Sequence, residues 1–498
     1  MNGRKLGRAL ALGVVLILAT ACQSVPSPNG VVSIGQMDRA EAIEQLVEAR
    51  YEAGLFEGAI LVAEGDTVLF RGGYGLADRT WEIPNTPETR FHIGSVGKQM
   101  TGAVMLQLVH EGKVSPDQTV AELLPEFAGT PSANIRLENL LNHTSGIPNY
   151  TATEAFQTQA GRAVPRETVT ALFKDEPLTF EPGTGFSYTN SGFFLAGMII
   201  ERIEGQHFGR VLQERLFAPL GLEDTHYLFS DRVADQYAEG YNWRGTAYAP
   251  EGQTDETWIL SNAMIASTVD DMFRWTRALL SGEPFESDEA RSMMLDLPEG
   301  SERNYAYGIG NVPLEFGGEA LRGLGHSGAL GGFRASQSVV LEKDWVIIIF
   351  SNIGVDQNDM ADEINRLLAG EEVALAKPPI SRAVLSALQQ KGAEETQTWF
   401  LSEVRAASSV YDIDEGGMNT LGYGLLGQGR LDDALFVLNL NTLAFHQSPN
   451  TFDSLGEVFR LSGNTAKALE NYEKALALAP DDTRVQGIVQ ELQSELSR

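Results

Sequence analysis

The chain has 498 residues, of which 43% are hydrophobic, so it can bury a large core and form two or more domains. Its 67 acidic and 37 basic residues give a formal net charge of -30 at pH 7. A surface of this charge repels nucleic acid, which argues against a nucleic-acid-binding protein, and solubility explains the acidic excess.

The first residues have the pattern of an export signal. Basic residues precede an uncharged apolar run at 9–21, which is too short for a membrane span but typical of a signal-peptide core. The run ends at the only cysteine, in the stretch LATAC, which resembles a bacterial lipobox. This resemblance implies a signal peptide over residues 1–21 and a lipid on Cys22. Ordinary secretion after cleavage near Ala21 is the alternative.

The residues after the cysteine predict a tether. Residues 22–37 are rich in Ser, Pro and Gly, a composition typical of flexible linkers. Gln23 lacks the acidic character associated with retention in the inner membrane. We therefore expect an exported lipoprotein that is anchored to the outer membrane through Cys22 and faces the periplasm.

The pattern of apolar residues predicts the elements of a mixed fold. We expect a helix over 37–53 and a hairpin of strands 58–63 and 67–71, then mainly helices and loops over 95–290. Further strands are predicted over 305–311, 334–341 and 345–351, and a closing helix over 359–368. This order predicts an α/β (α+β) fold, in which an antiparallel sheet is completed from both chain ends and flanked by helices. An all-helical subdomain is inserted, and the active site lies in the cleft between the two.

Ser95 and Lys98 stand three residues apart, just before the apolar segment 99–109. Residues at this spacing share a face of a helix, so a helix that begins near Ser95 places the lysine amine beside the serine hydroxyl. A serine hydroxyl is a weak nucleophile, and a lysine accepts its proton only when burial lowers the lysine pKa. The pair predicts a covalent serine hydrolase, although the spacing alone is too common to establish one.

Two further motifs follow in order. Tyr188 and Asn190 come after a turn-rich segment and before an apolar run, which predicts a loop leading into a helix; a tyrosine there can relay protons. The segment HSGA at 326–329 precedes strand-like runs. We expect it on or beside an edge strand, where small residues let a substrate approach the backbone.

The order Ser-x-x-Lys, Tyr-x-Asn, His-Ser-Gly resembles the signature of the serine β-lactamase and penicillin-binding-protein superfamily. The resemblance is closest to its class C β-lactamase-like branch, which also contains esterases and D-amino-acid peptidases. The segments LLNHTSGIP at 140–148 and MIASTVDD at 264–271 resemble further stretches of that family. We interpret His143 in the first segment as a hydrogen-bonded structural histidine and Ser267 or Thr268 in the second as a helix N-cap.

The resemblance implies a β-lactamase/transpeptidase-like fold and a role for each motif residue. Ser95 attacks a carbonyl of an acyl substrate, Lys98 and Tyr188 share its proton, and Tyr188 then protonates the leaving group. Asn190 positions the lysine amine and the substrate. The substrate and oxyanion site is made by His326, Ser327, Gly328 and Ala329, with the backbone N–H groups of Ser95 and Ala329 as the oxyanion donors. The family needs no metal or cofactor, and we expect none.

His326 stands where penicillin-recognising members usually have a lysine, whose charge helps to hold a substrate carboxylate. A largely neutral histidine holds it less well. Arg334 either replaces the missing charge or is an ordinary surface arginine. The sequence therefore favours an ester, amide or D-aminoacyl substrate; a penicillin-binding carboxypeptidase or a class C-like β-lactamase is the alternative.

We expect the hydrolase region over 38–370 and a linker over 371–382. The pattern of residues 383–498 predicts a helical domain with an internal repeat. Five residues recur thirty-four positions later: Leu421, Gly422, Gly429, Ala434 and Leu438 become Leu455, Gly456, Gly463, Ala468 and Tyr472. This spacing resembles tetratricopeptide repeats. The repeats either pack against the hydrolase or bind a protein partner. A catalytically weak scaffold that binds a protein through them is a further alternative, which the presence of all three catalytic side chains disfavours.

Overall fold

The computed structural model describes residues 30–35, 37–229, 236–297, 304–406 and 409–498. The predicted signal peptide, Cys22 and most of the predicted tether lie outside the described residues.

The strands, in chain order, are β1 (Val31–Val32), β2 (Gly58–Glu64), β3 (Thr67–Tyr74), β4 (Leu76–Asp78), β5 (Ile83–Pro84), β6 (Phe91–His92), β7 (His226–Tyr227), β8 (Tyr241–Trp243), β9 (Tyr248–Pro250), β10 (Ile265–Ser267), β11 (Gly310–Phe316), β12 (Glu319–Leu330), β13 (Phe333–Val340), β14 (Trp345–Ser351) and β15 (Val373–Ala374).

The α-helices are α1 (Arg39–Glu52), α2 (Lys98–His110), α3 (Val120–Leu123), α4 (Leu137–Leu141), α5 (Glu154–Gln159), α6 (Arg166–Thr170), α7 (Asn190–Glu204), α8 (Phe208–Leu212), α9 (Glu256–Ile259), α10 (Val269–Ser281), α11 (Asp288–Leu295), α12 (Asn358–Leu368), α13 (Ile380–Lys391), α14 (Ala393–Arg405), α15 (Glu415–Gly427), α16 (Leu431–Ala444), α17 (Pro449–Leu461), α18 (Thr465–Leu478) and α19 (Thr483–Leu496). Short 3₁₀ turns lie at Gly94–Gly97, Pro125–Phe127, Tyr150–Ala152 and Leu341–Lys343, and a π turn at Gln213–Phe217.

A six-stranded antiparallel sheet in the order β11-β12-β13-β14-β2-β3 forms the centre of the hydrolase region. Strands from before and after the helical segment pair at β14 and β2, so the predicted sheet completed from both chain ends is confirmed. All seven residues of β14 are buried, because helices cover both faces of the sheet. Its side chains alternate between two cores: Ile347 and Ile349 pack with α1 and α12, while Ile348 and Phe350 pack with the helical subdomain.

The strand predicted over residues 305–311 lies too early in the chain, because most of this stretch forms a turn and β11 runs over Gly310–Phe316. The Ala306 N–H donates to the Ile309 carbonyl over 2.9 Å. Gly308 has a φ of +93°, and a Cβ there would lie 2.4 Å from the Lys98 carbonyl oxygen, so the turn requires glycine. Aromatic and small residues alternate here, which is typical of a strand, but they form a turn that packs against α2.

Strand β12 changes its surroundings halfway along. Its pairing with β11 ends where Gly310 faces Gly325, whereas its pairing with β13 continues to Leu330. Residues 326–330 therefore have one edge without a strand partner among the described elements. One face of this segment packs against the chain just before the 3₁₀ turn at Gly94–Gly97, because a Cβ on Gly328 would meet the Ile93 carbonyl oxygen at 2.0 Å.

Helices α13–α19 form the C-terminal unit as successive packed pairs. The first begins at Ile380, inside the segment predicted as a linker. Equivalent residues of the internal repeat make equivalent contacts, because the backbone of Gly422 lies against Leu438 and that of Gly456 against Tyr472. Assignment to the tetratricopeptide class stays a prediction. Within the described part of the chain, no helix is long and apolar enough to cross a membrane.

The C-terminal unit packs on the β8–β9 hairpin of the hydrolase region. A Cβ on Gly424 of α15 would lie 2.2 Å from the Arg244 carbonyl oxygen, and one on Gly245 would lie 2.2 Å from the Thr420 carbonyl oxygen. The Arg382 guanidinium of α13 stacks 4.6 Å from the Trp243 ring centroid. Backbone therefore meets backbone across this interface.

Candidate active site

Ser95 lies in the 3₁₀ turn that leads directly into α2, which begins at Lys98. The turn approaches β12 closely: Gly94 has a φ of +54°, and a Cβ there would lie 2.7 Å from the Ala329 nitrogen. Only glycine fits this position without moving the strand. The local fold thus brings the Ser95 turn and the Ala329 backbone into contact, as the predicted oxyanion site requires.

Lys98 is fully buried, and its amine has three close neighbours. Nζ lies 2.9 Å from Ser95 Oγ, 2.8 Å from Asn190 Oδ1 and 2.9 Å from the Asn262 carbonyl oxygen. Burial lowers the pKa of the amine well below its usual value. A neutral amine donates to the two carbonyl oxygens and presents its lone pair to the serine hydroxyl, which makes Lys98 a base for Ser95.

Asn190 holds its amide in one orientation. Its Nδ2 donates to Thr151 Oγ1 over 3.0 Å, and its backbone N–H donates to Asn149 Oδ1 over 3.1 Å. The amide oxygen must therefore point at Lys98. The Asn262 carbonyl, the second acceptor, had no signal in the sequence, since every residue carries a backbone carbonyl.

Tyr188 completes the catalytic cluster from the loop before α7. Tyr188 and Ser95 both line the same cavity, and the Tyr188 ring centroid lies 5.1 Å from Lys98 Nζ. Burial raises the pKa of this phenol. Tyr188 is therefore protonated at neutral pH, which suits it to give a proton to a leaving group. The structure thus brings Ser95, Lys98 and Tyr188 together, with Asn190 behind the amine.

His326 is fixed as a neutral imidazole. Its Nδ1 donates to the Ser327 carbonyl oxygen over 2.5 Å, so its Nε2 accepts from the Tyr305 hydroxyl over 2.8 Å. Burial lowers the pKa of His326 to about 3. The position therefore carries no cation. Sequence reasoning missed Tyr305, because it lies in the stretch mistaken for a strand.

A cavity of about 340 Å³ joins these groups. It is lined by Ser95, Tyr188, His326, Ser327, Gly328, Ala329, Arg334, Ala335, Asp356 and Gln357. Arg334 is therefore a wall of the same cavity as the serine, and its guanidinium donates to the carbonyl oxygens of Gly331 and Phe333 over 3.0 and 2.7 Å. Asp356 provides an opposite charge in the same cavity.

The motif residues interpreted as structural have structural contacts. His143 is buried with a φ of +60°, and its Nδ1 accepts the Thr189 N–H over 3.2 Å. Its ring centroid lies 4.2 Å from that of Tyr188, so it supports the tyrosine from behind. Thr268 caps α10 by accepting the Asp271 N–H over 3.2 Å. Among the described residues, no group of three or more His, Cys, Asp or Glu could hold a metal ion.

The sheet, the inserted helices and the Ser–Lys–Tyr cluster are those of a serine acyl-transfer protein. A family model described as Beta-lactamase matches residues 40–371, and the chain belongs to this family. The family match ends before the C-terminal helices.

Curated relatives are distant in sequence. Penicillin-binding protein 4* of Bacillus subtilis is 25% identical over 358 residues, which are 69% of this chain and 78% of that protein. D-aminopeptidase of Brucella anthropi is 28% identical over 319 residues, 63% of this chain but only 59% of that enzyme. The second match thus spans less than two thirds of the enzyme's length.

Solved structures share the fold of the hydrolase region. The penicillin binding protein from Bacillus halodurans superposes with a TM-score of 0.57 and 24% identity, covering 65% of this chain and 98% of that one. The D-amino acid amidase from Ochrobactrum anthropi SV3 gives a TM-score of 0.56 and 22% identity, covering 67% and 98%. At these identities the likeness establishes the fold alone.

Proposed function

We propose that the protein is a serine hydrolase that cleaves amide, ester or D-aminoacyl substrates through an acyl-enzyme. The observation that carries this proposal is the buried Lys98 amine, 2.9 Å from Ser95 Oγ and hydrogen-bonded to carbonyl oxygens. An ammonium without a carboxylate partner is costly to bury, so the amine is neutral and can take the serine proton.

The chemistry follows from these positions. Ser95 Oγ attacks the substrate carbonyl while its proton passes to Lys98, and the N–H groups of Ser95 and Ala329 stabilise the oxyanion. Tyr188 donates its proton to the leaving nitrogen or oxygen as the bond to the acyl carbon breaks, and the proton held on Lys98 replaces it. A water molecule then attacks the ester carbonyl, gives one proton back to Ser95 and releases the acid.

The substrate class is supported by the neutral His326 and by the relatives. D-aminopeptidase and D-amino acid amidase are named for D-aminoacyl substrates, and a neutral imidazole gives no charge for a substrate carboxylate. Arg334 favours the second candidate, penicillin-binding carboxypeptidase or β-lactamase activity, because its guanidinium lies in the same cavity as Ser95.

Intact-mass measurement after exposure to a fluorophosphonate ester, and separately to a penicillin, tests both candidates. We expect a fluorophosphonate adduct on the wild type and none on Ser95→Ala. Turnover of D-alanine p-nitroanilide would support the first candidate, and a stable penicillin adduct the second. A wild-type chain inert to every reagent would contradict the hydrolase proposal and favour the scaffold alternative.

We also propose that the enzyme is an exported lipoprotein, held to a membrane by Cys22 and facing the periplasm. The support is the basic and apolar pattern of residues 1–21 and the LATAC stretch. The eight peptide units from Cys22 to Gly30 reach at most about 28 Å when fully extended, so the folded part would stay close to the bilayer.

For the C-terminal helices we propose a structural role on the hydrolase. The support is the contact of α13 and α15 with the β8–β9 hairpin, made by Arg382 and Gly424. The outward faces of the later helices leave room for a protein partner, which remains the alternative role.

A further inference from the structure

A cavity of about 900 Å³ lies next to the cavity that holds Ser95. The two meet at the turn between β12 and β13, because Ala329 lines the smaller cavity and Leu330 the larger one. We call the larger one the turn cavity. Its lining includes Asp78, Trp81, His92, Tyr237, Glu239 and Phe333.

The turn cavity is acidic. Four of its lining residues are carboxylates, and no lysine or arginine is among the described lining residues. Among the described residues, Glu251 is the one carboxylate of the four with an ion-pair partner, Arg244. The other three accept hydrogen bonds from uncharged donors: Asp78 from the N–H groups of Thr80 and Trp81, Glu239 from the Tyr241 hydroxyl, and Asp255 from Thr257. No cation of the described chain pairs with these three carboxylates, so they give the cavity a negative charge that a cationic ligand would meet.

A second, independent feature of the wall is His92, three residues before Ser95. It is only 6% exposed, and its Nδ1 accepts the Gly94 N–H over 3.3 Å, so the ring proton is on Nε2. This Nε2 has no hydrogen-bond partner among the described residues. A buried donor without a partner is costly, so this part of the cavity wall is not fully satisfied by the described residues.

Aromatic rings complete the wall. The Tyr237 and Phe333 rings lie 5.5 Å apart, and the Trp81 side chain at the rim is 76% exposed. Aromatic faces attract organic cations, and carboxylates beside them add a longer-range attraction. The lining therefore suits an ammonium or guanidinium group carried on an organic chain.

The orientation of a substrate follows from the catalytic cluster. Tyr188 protonates the leaving group, and its ring centroid lies 6.1 Å from that of His326, so the leaving group belongs at the His326 end of β12. The acyl group must then extend from the carbonyl at Ala329 towards Leu330. Among the described strands none pairs with this edge of residues 326–330, so an extended chain can lie along it. Each residue of such a chain advances about 3.3 Å in the direction of Leu330, which lines the turn cavity.

We infer that the turn cavity is the acyl-group site of the hydrolase and that it selects acyl groups carrying a positive charge over neutral and anionic ones. This inference rests on the proposed hydrolase function. It adds a charge preference on the acyl side, which neither the catalytic cluster nor the cavity around Ser95 determines.

The test uses p-nitrophenyl esters of equal chain length whose acyl groups end in trimethylammonium, tert-butyl or carboxylate. The first two have the same shape and differ only in charge. We expect kcat/KM to fall in the order cation, neutral, anion, with about a tenfold preference for the cation over its neutral isostere at low salt. Glu239→Gln and, separately, Asp78→Asn should lower this ratio several-fold. Glu176→Gln, a matched change of an exposed carboxylate that lines neither cavity, should keep it.

Labelling of Ser95 by a fluorophosphonate ester in the same samples separates the possible failures. Labelling together with equal kcat/KM values for the three esters, or a preference for the anion, would overturn the inference and leave the hydrolase intact. A ratio that Glu239→Gln and Asp78→Asn both leave unchanged would also overturn it. Absence of both labelling and turnover would overturn the hydrolase proposal and the inference together.

Discussion

The buried amine of Lys98 is paired with the amide oxygen of Asn190, 2.8 Å away, and with no carboxylate among the described residues. An amide oxygen accepts a hydrogen bond without adding the full negative charge that would favour an ammonium. Burial therefore controls the lysine pKa and lowers it. The identity of residue 190 thus decides whether residue 98 is a base.

Replacing Asn190 by Asp tests this relationship with almost no change of shape. A carboxylate beside Nζ stabilises the ammonium, so the Lys98 pKa rises and less neutral amine is present at pH 7. We expect the rate of Ser95 acylation at pH 7 to fall about tenfold to a hundredfold, since one pKa unit is a factor of ten. The acidic limb of the pH–rate profile should move to higher pH; a profile in its wild-type position would refute this role.

Lys98→Met should change the pH dependence of stability. In the native state the Lys98 pKa is well below its ordinary value near 10.5, whereas the unfolded chain takes up a proton below that value. Burial of the amine therefore destabilises the wild type at neutral pH, and this cost decreases as the pH rises towards 10.5. Denaturant unfolding measures this at pH 7 and pH 10. We expect the free energy of unfolding of Lys98→Met, relative to that of the wild type, to be more favourable at pH 7 than at pH 10. A difference independent of pH would show that Lys98 is protonated in the folded protein.

Two single variants, His326→Lys and Arg334→Gln, test whether a cation in the site helps to bind a substrate carboxylate. A lysine at 326 adds a cation on the leaving-group side, so acylation of Ser95 by a penicillin should rise by about tenfold. If Arg334 supplies the missing charge, Arg334→Gln should lower penicillin acylation several-fold, while acylation by an uncharged ester keeps its rate. Intact-mass time courses measure both, and equal effects on the two acyl donors would indicate a structural role for Arg334.

Two glycines of α15 provide a matched pair for the domain interface. A Cβ at Gly424 would collide with the Arg244 carbonyl, whereas a Cβ at Gly427 would meet nothing within 4 Å. Gly424→Ala should therefore destabilise the protein by about 1–3 kcal/mol, while Gly427→Ala should be neutral or stabilising by up to about 1 kcal/mol. Thermal unfolding of both variants checks this, and a Gly424→Ala melt equal to that of Gly427→Ala would contradict the close packing.

Cys22→Ser tests the proposed anchor. Without the thiol no lipid can be attached, so the protein should move from the membrane fraction to the soluble periplasmic fraction with its Ser95 labelling retained. Fractionation of cells that express either form measures the change. Attachment that survives the substitution would count against lipidation and favour ordinary secretion or another means of binding.

Much of the architecture was accessible from the sequence because its signals are local. The spacing of Ser95 and Lys98 placed the two side chains together, and the apolar run over 345–351 marked the strand that became β14. The prediction for residues 305–311 failed because the structure of this stretch is not determined by local signals. Their alternating pattern satisfies a strand, but the left-handed Gly308 and its contact with the Lys98 backbone make a turn, and these depend on tertiary structure.

The missing parts of the site are those without a side-chain signature. The Asn262 carbonyl that accepts from Lys98 is backbone, and Tyr305 meets His326 only because β11 and β12 form a hairpin. The turn cavity is assembled from distant stretches, so that Asp78, His92 and Glu239 become neighbours only in the folded chain. Sequence motifs thus identified the reacting groups, whereas the residues that surround these groups could be identified only from the folded structure.

The bare backbone contact of Gly245 and Gly424 limits how these two regions can evolve. With no side chain between them, neither surface can acquire bulk unless the opposite one retreats, so mutations on one side should be accepted only with compensating changes on the other. The helical unit is therefore not a portable module. If it were transferred to another hydrolase of this fold, that enzyme would also need a hairpin whose turn presents bare backbone to the helix.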